Sequence, residues 1–378
     1  MDTSGIRLVV NGSIYSSWLG LAVDNAIDKV GGGFSISAVE RNHPGINRFD
    51  ACQILVDGEL VLTGYVTDRA PHYDGHSRGV EITGRTKLQD LVECCPDISS
   101  GQFKGYTLAA IARAICALFG IGVVVEYDPP QKFPDATLQR GETGFLFLER
   151  LGRLAGTLLS EDENGNLVLT RAGVQRAAGV LQRGVNIKAA RAKMSGEKRF
   201  SQTIIKGQRA IGSAAGQSQA GGGEGAAPAP VATNLRAVAV DPLVPRYRPK
   251  VCLAEAQMDL AGMQMRANWM RNYAFGRSTE AEITVYGWRD AAGELWRVNR
   301  IVAVVDDWLD INRDLLIVSR AFRMDDKDGR ITTLKVAPPE GYTPDPGQVK
   351  AHCRCGGSGR AASSGDDSSA NQWEGPGT

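Results

Sequence analysis

The sequence lacks a surplus of charge of either sign. Its 378 residues contain 43 Lys and Arg against 42 Asp and Glu, which leaves a formal net charge of +1 at pH 7. This balance offers no long-range attraction for nucleic acid or an anionic membrane, so a dedicated DNA-binding regulator is disfavoured. Aromatic residues are also few, at 7%, yet 43% of the chain is hydrophobic. That is enough apolar material for about two or three packed cores and excludes a disordered chain.

Long hydrophobic runs are missing as well. No segment approaches the ~18 consecutive apolar residues of a membrane span, and the first residues are polar. We therefore expect no secretory signal and no stable membrane insertion. The seven cysteines are an odd number in a chain large enough to fold without disulfides, so reduced thiols are expected.

Glycine is abundant, and most of the 45 glycines stand singly between short apolar runs, a distribution typical of many strands. Near the N-terminus, Asn11-Gly12 and Asp57-Gly58 separate such runs, and both dipeptides favour tight hairpins. Apolar and polar residues then alternate from Val80 to Thr83. These patterns predict an antiparallel sheet or small barrel as a first domain over residues 1–95.

The apolar period changes from two residues to 3.6 in the next segment. An amphipathic helix is predicted after a Thr107 cap, and a second helix is predicted from about Thr143. A hairpin follows, with Asn164-Gly165 as its turn. The sequence therefore predicts a small mixed α/β domain over residues 96–183.

A second strand-rich domain is predicted over residues 184–342. It contains a long helix at 253–270 and strands at 279–286, 295–305, 315–322 and 331–336. A tract rich in Gly, Ala, Ser and Pro at 212–232 reads as a flexible loop.

Residues 343–378 are rich in Gly, Ser and Asp, and we expect them to form a disordered or extended tail. The predicted fold class is α+β, mainly β, with two antiparallel barrel-like domains flanking the small mixed domain. Two strand-rich segments around an α/β unit suggest an internal repeat, which one sequence does not demonstrate.

None of the candidate catalytic motifs has the flanking residues or the spacing that its chemistry requires. Gly31-Gly32-Gly33 lacks the Lys-Ser/Thr of a phosphate-binding loop. Glu161, Asp162 and Glu163 adjoin a hairpin turn, and their spacing fits neither a glycosidase pair nor a calcium loop. We expect these three carboxylates to be solvated. The Asp-rich segment 325–328 likewise predicts a turn, and no catalytic residue, cofactor or enzymatic activity is expected.

Two groups of residues have the composition of a metal site. His72 and His76 have a ligand spacing only if they lie on a helix, and the intervening Asp74-Gly75 favours a turn. His352, Cys353 and Cys355 supply three of four soft ligands. Such a site would be completed only by copies meeting on a symmetry axis, and an ordinary flexible tail is the favoured alternative.

Several short runs stand in one collinear order across residues 1–342. They include residues 64–68, 80–85, 90–94, 107–112, 119–121, 149–155, 165–169, 246–249, 267–269, 285–288, 295–299 and 338–342. In this order they resemble the Mu-type baseplate hub proteins of contractile-tailed bacteriophages, which are related to the T4-type central hub and to the hub part of injection-machine spikes.

The resemblance implies a structural role. It implies a homotrimeric ring with two barrel-like domains per chain, which joins a sixfold tail tube to a threefold central spike beside other baseplate proteins. DNA would pass through the central channel without sequence-specific binding. The implied location is the tail baseplate of the virion, after assembly in the host cytoplasm.

A ring needs interfaces between subunits. Trp269, Trp288 and Trp296 are candidate interface anchors, although filling the second domain's core is the favoured interpretation. Edge strands shared between subunits or with the tube are a further route, and the 212–232 loop could order there.

Two alternatives stay open. The first is a hub or spike component of a phage-derived injection particle, either a tailocin or a secretion system. The second, less favoured, is a tail-associated cell-wall hydrolase.

Overall fold

The computed structural model describes residues 5–16, 18–27, 29–39, 45–76, 78–130, 132–210, 232–254, 259–325 and 327–343. The first part of the chain, here called the first strand block, is entirely β. Its strands are β1 (Ile6–Val10), β2 (Ser13–Tyr15), β3 (Gly20–Ala26), β4 (Gly33–Val39), β5 (Ala51–Val56), β6 (Glu59–Tyr73) and β7 (Arg78–Thr86).

Both predicted hairpins of this block are confirmed. β1 pairs with β2, and β5 pairs with β6, each antiparallel. Asn11 and Gly12 adopt φ values of 49° and 81°, and Asp57 and Gly58 adopt 50° and 85°. Two successive positive φ values are what a hairpin turn matched to the strand twist requires, and Asn, Asp and Gly accept them at low cost.

A compact middle unit follows and confirms the predicted α/β character. Its elements are α1 (Leu88–Glu93), β8 (Gln102–Phe103), β9 (Tyr106–Thr107), α2 (Leu108–Ala117), β10 (Val123–Val125), β11 (Lys132–Phe133), β12 (Ala136–Thr137), α3 (Gly144–Ala155), β13 (Leu158–Glu161) and β14 (Leu167–Thr170). The Thr107 and Thr143 hydroxyls accept hydrogen bonds from Ala110 N and Leu146 N, so both predicted helices begin at their expected caps.

The rest of the chain interleaves two units. The second strand block contains β15 (Gln175–Gln182), β16 (Ile187–Met194), β20 (Thr279–Tyr286), β21 (Arg300–Asp306), β22 (Ile311–Asp325) and β23 (Gly329–Ala337). Between β16 and β20 lies a helix-sheet unit of β17 (Gln202–Ala210), β18 (Ala232–Val240), β19 (Pro249–Leu253) and α4 (Leu260–Gly276). A 3-10 turn at Pro339–Tyr342 ends the described chain.

The long helix begins later than the sequence analysis predicted. It starts at Leu260, after Asp259 accepts a hydrogen bond from Gly262 N, whereas Leu253 ends β19. β19 lies parallel to β17, so the tertiary pairing of this segment overrides its helical periodicity. Met263 and Ala267 are fully buried and pack in one apolar cluster with Ile205 of β17 and Ala237 of β18.

The two strand blocks form one 13-stranded sheet rather than two separate barrels. Its main path runs β16-β20-β23-β22-β3-β4-β7-β6-β5-β1-β2, with β21 and β15 branching from β22. Within the described residues neither block closes into a barrel, so the barrel-like expectation is corrected while the mainly β class holds. Apolar side chains of both blocks, such as Ile36 and Val66 with Ile283 and Phe322, share one core.

The strand order reveals an internal repeat. The first block runs β3-β4-β7-β6-β5-β1, and the second runs β16-β20-β23-β22-β21-β15. β6 and β22 both have 15 residues, and β7 and β23 both have nine. A bulge interrupts each long hairpin at the matching place, between Val66 and Asp68 and between Ile317 and Ser319. Matching order, length and bulge establish the repeat that the sequence only suggested.

The two repeats meet at an antiparallel ladder between β3 and β22. The proximal part of β22 pairs with β21, and its distal part, Ser319 to Met324, pairs with Ala26 to Leu21 of β3. Arg323 and Asp24 form an ion pair of 2.9 Å across this ladder.

Two further observations complete the fold. Cys52, Cys94, Cys95 and Cys116 are free, whereas Cys252 is disulfide-bonded, which corrects the expectation of reduced thiols throughout. No helix in the described part of the chain has the length and apolar character needed to cross a membrane.

The shared core predicts a large effect at Phe322. This ring is fully buried, its centroid lies 5.6 Å from that of Trp288, and its strand position faces Val23 of β3. Phe322→Ala removes a large side chain from a core that holds both blocks, so we expect a loss of about 3–5 kcal/mol in the free energy of unfolding. Urea unfolding followed by circular dichroism measures it. Tyr286→Ala, at a side chain 66% exposed, is the control and should change stability by about 0.5 kcal/mol or less. Similar values for both variants would contradict the shared core.

Candidate functional site

A buried carboxylate marks the place where the middle unit meets the large sheet. Glu161, at the end of β13, is only 6% exposed. Its carboxylate accepts hydrogen bonds from Gly31 N at 3.2 Å, Gly32 N at 3.0 Å and the Thr86 hydroxyl at 2.8 Å. All three donors belong to the first strand block, so one side chain fixes the middle unit on that block.

The glycines of this turn are required by close approach. Gly31 has a φ of +92°, and a Cβ at Gly32 would lie 2.7 Å from the Glu161 Oε1 atom. The segment Gly31-Gly32-Gly33 therefore does bind an anion, and that anion is the chain's own carboxylate rather than a phosphate. The expectation that Glu161 is solvated was wrong, because its glycine partners lie about 130 residues away in the sequence and Thr86 lies 75 residues away.

A buried arginine lies close to the same junction. Arg320, on β22, is 3% exposed and donates a hydrogen bond of 2.8 Å to Trp296 O. Burial lowers the pKa of Arg320 to about 10, and the nearby carboxylates of Glu163 and Glu161 oppose this shift. Burial raises the pKa of Glu161, and the hydrogen bonds from Thr86, Gly32 and Gly31 oppose that shift.

Surface ion pairs continue from this junction across the three parts of the chain. Arg297, in the second block, lies 3.4 Å from both Glu163 and Glu59. Arg289 lies 3.0 Å from Glu59, and Arg330 lies 3.1 Å from Asp57. Each partly exposed pair contributes little alone, about 0–1 kcal/mol. Together they join the β5-β6 hairpin to the second block and the middle unit.

Asn299 links the second strand block to the chain that leaves the middle unit. Its side chain accepts a hydrogen bond from Gly173 N at 2.9 Å and donates one to Arg171 O at 2.9 Å, so it binds the chain leaving the middle unit. Asn299 itself has a φ of 63°, a conformation that Asn tolerates better than most residues. The sequence analysis did not identify this role.

A cavity of about 170 Å³ opens beside these residues, lined by Glu126, Glu161, Glu163, Arg297 and Arg320 among others. Its acidic and basic groups face one another, and the Glu161 oxygens are already occupied by donors from the protein. Within the described residues, no group of three or more His, Cys, Asp or Glu side chains could hold a metal ion. The geometry therefore describes a joint that fixes the relative position of three parts of the chain.

The predicted tryptophans occupy two kinds of environment. Trp288 and Trp296 are 3% and 5% exposed and lie in the shared core, which confirms the core interpretation for both. Trp269 is half-buried on α4, stacks on Tyr273 at 5.0 Å and donates to Thr343 O at 3.1 Å. Trp308 and Phe49, at 79% and 84% exposed, are aromatic surface residues that the sequence analysis missed.

The histidine and aspartate predictions have mixed outcomes. His72 lies in β6, and His76 N donates to the Asp74 carboxylate in the following turn, so the predicted turn is confirmed and the helical spacing is not formed. Asp328 lies in the predicted turn between β22 and β23. His352, Cys353 and Cys355 lie outside the described residues, as does almost all of the 212–232 tract.

Comparison with known proteins gives a consistent result along the chain. Residues 5–86 match the N-terminal domain of Mu phage baseplate assembly protein GpP-like proteins, and residues 88–171 match the second domain of gp44-like baseplate hub proteins. Residues 260–345 match the fourth domain of the Mu phage baseplate assembly protein GpP. These matches define a protein of a phage tail baseplate.

Individual relatives cover nearly the whole chain. Baseplate hub protein gp44 of Escherichia phage Mu is 29% identical over 348 residues, which is 89% of this chain and 88% of the relative. The 43 kDa tail protein of prophage MuSo2 from Shewanella oneidensis is 33% identical with a TM-score of 0.77, covering 90% of this chain and 99% of that one. A tail protein from Neisseria meningitidis MC58 is 22% identical with a TM-score of 0.72, covering 90% and 98%. The chain belongs to the family of Mu-type baseplate hub proteins, and its role is that of a baseplate hub.

The Glu161 joint predicts a stability defect without loss of a core side chain. Glu161→Gln places an amide NH₂ among three donors, so at least one of them loses its acceptor in a buried site. We expect the free energy of unfolding to fall by about 1–3 kcal/mol, measured by urea unfolding at pH 7. Glu280→Gln is the control, because that exposed carboxylate makes a surface ion pair with Lys335 and its loss should cost about 0–1 kcal/mol. Equal losses in the two variants would contradict the anchoring role.

Glu161 also predicts how the free energy of unfolding depends on pH. Because burial raises the pKa of Glu161 in the folded chain, the folded chain binds more protons than the unfolded chain between the two pKa values. This contribution to stability is fully present below the unfolded pKa of about 4.3 and is lost as the pH rises through the raised pKa. The excess stability of the wild type over Glu161→Gln should therefore be larger near pH 4 than near pH 7. Unfolding both proteins in urea at the two pH values tests this, and an excess that grows with pH would show the opposite sign of the shift.

Proposed function

We propose that three copies of the chain form a closed ring that joins the tail tube to the central spike. The observation that carries the proposal is the internal repeat, since each chain supplies two strand blocks with the same strand order. Three copies then present six similar blocks around one axis. Such a ring has the approximate sixfold character needed on the tube side and keeps exact threefold symmetry for the spike.

The proposed partners follow from this arrangement. A sixfold tail tube protein rests on one face, a threefold spike protein docks on the other, and further baseplate proteins bind the periphery. DNA passes through the central channel during ejection without sequence-specific contacts, consistent with the net charge of +1. We further propose that the ring assembles in the host cytoplasm before it is incorporated in the virion.

A non-enzymatic role is part of the proposal. The buried carboxylate of Glu161 is held by three donors of the protein, an arrangement that suits positioning rather than proton transfer to a substrate. The relatives named above are baseplate and tail proteins. We also propose three domains with bounds close to residues 1–95, 96–183 and 184–342. One strand departs from these bounds, because β15 precedes residue 184 and yet pairs with β21 of the second block. For residues 343–378 a tail without a core of its own, and for 212–232 a loop, stay predictions.

The oligomeric state tests this proposal directly. We expect light scattering of the purified protein, with a reducing agent present, to give a mass three times that of the 40.5 kDa chain over a range of concentrations. Negative-stain electron microscopy should show rings with six lobes that alternate between two shapes. A monomer at every accessible concentration, or a ring of another order, would contradict the proposed hub ring.

A further inference from the structure

Cys252 takes part in a disulfide, and elimination narrows the choice of its partner. Four of the seven cysteines are the free thiols Cys52, Cys94, Cys95 and Cys116. Cys252 is disulfide-bonded. The two cysteines that remain are Cys353 and Cys355, which stand beyond the described residues in the C-terminal tail. Elimination therefore leaves these two as the possible partners of Cys252 within this chain.

The fold places the Cys252 side chain on the side of its sheet that faces α4. β19 is an outer strand of the sheet β18-β17-β19, and Cys252 stands beside Ile205 of β17 in a parallel ladder. Neighbouring residues of two paired strands point to the same face, and Ile205 shares an apolar cluster with Met263 of α4. Cys252 is 0% exposed. A partner therefore reaches this sulfur along the margin where α4 lies over β19.

The described chain ends on the same side of α4. Gln264 donates a hydrogen bond to Val238 O, so this side of the helix faces β18. At about 3.6 residues per turn, Trp269 lies about 140° around the helix axis from Gln264, which places it on the side of β19. Trp269 Nε1 donates a hydrogen bond of 3.1 Å to Thr343 O. The tail therefore starts on the β19 side of α4, where Cys252 lies.

The tail is long enough for this connection. Cys353 follows Thr343 by ten residues and Cys355 follows it by twelve. Ten extended residues span up to about 33 Å. α4 has 17 residues and is therefore about 26 Å long. Either cysteine can reach any point along this side of the helix, including the position of Cys252.

We propose that a disulfide between Cys252 and either Cys353 or Cys355 ties the C-terminal tail to the margin of α4 and β19 within the same chain. The inference is independent of the proposed ring, because it joins residues of one copy. It also bears on the metal-site hypothesis for His352, Cys353 and Cys355. A cysteine that enters the disulfide no longer offers a thiolate to a metal.

Formation of this bond is an oxidation and needs an electron acceptor. A low-molecular-weight disulfide, such as oxidised glutathione, supplies it in two exchange steps. The thiolate of the tail cysteine attacks this disulfide, which gives a mixed disulfide and releases one thiol. The Cys252 thiolate then attacks the sulfur of the tail cysteine and releases the second thiol. The two protein thiols thus lose two protons and two electrons, and one molecule of oxidised glutathione takes them up as two thiols.

Peptide mapping tests the bond in the full chain. The protein is incubated with oxidised glutathione, alkylated in denaturant, digested with trypsin without reductant and analysed by mass spectrometry. Cleavage after Lys350 and Arg354 puts the two tail cysteines into separate peptides, so the mass of the linked product identifies the partner. We expect residues 251–266 to be linked to residues 351–354 or to residues 355–360, and the link to disappear on reduction.

Matched variants separate this bond from other oxidation. Cys353→Ser combined with Cys355→Ser removes both candidate partners and should leave peptide 251–266 unlinked, with its cysteine alkylated. Cys94→Ser combined with Cys95→Ser removes two exposed free thiols and should leave the link unchanged.

Three results would overturn the proposal. The first is an unlinked peptide 251–266 in the wild type, and the second is a link from this peptide to any other cysteine. The third is a covalent dimer of the Cys94→Ser, Cys95→Ser variant on a non-reducing gel, since the bond would then join two copies.

Discussion

The architecture depends on six residue pairs between β3 and β22. The paired strands are about 300 positions apart in the chain, so closing this ladder brings the two ends of the described chain together. Such a non-local contact costs chain entropy, which must be offset by packing. The stabilising contribution comes from Phe322 and Val23, both fully buried at the ladder, and from the single apolar core that continues on either side of it. Because that core contains side chains of both repeats, neither block has a core independent of the other.

The middle unit is attached beside this ladder by polar contacts and by a small apolar cluster, in which Leu158 packs against side chains that include Ile27 and Leu316. Glu161 reaches the Gly31-Gly32 turn that directly follows β3, and the buried Arg320 stands opposite Asn25 in the ladder itself. A buried carboxylate with three donors tolerates only a narrow range of positions, since a small rotation of the unit would leave donors without acceptors in a dry site. The joint therefore fixes the angle of the middle unit against the sheet, which an apolar contact alone would define less strictly.

The sequence predicted those features whose cause is local. Asn11-Gly12 and Asp57-Gly58 form the expected hairpins because positive φ is a property of those residues, and Thr107 and Thr143 cap the expected helices for the same kind of reason. The sequence did not predict features that depend on distant partners. Glu161 was predicted to be solvated because it adjoins a turn, and Leu253 was predicted to be helical although its strand pairs with β17. The glycine run at 31–33 was the one signal of the joint, but nothing near it in the sequence identifies the carboxylate that it binds. Neither the sequence of β3 nor that of β22 indicates by itself that the two strands pair.

The two repeats share their strand order but differ where other units are inserted. In the first repeat, the connection from β3 to β4 is the short turn that binds Glu161, and the middle unit follows β7. In the second repeat, the equivalent connection from β16 to β20 holds the whole helix-sheet unit. The outermost strands differ too, because β1 lies antiparallel to β5 whereas β15 lies parallel to β21. In the proposed ring, the common sheet supplies six similar surfaces, and these insertions make alternate blocks different. A surface formed by the shared strands can then meet a sixfold partner, while a surface formed by the inserted units can meet only a threefold one.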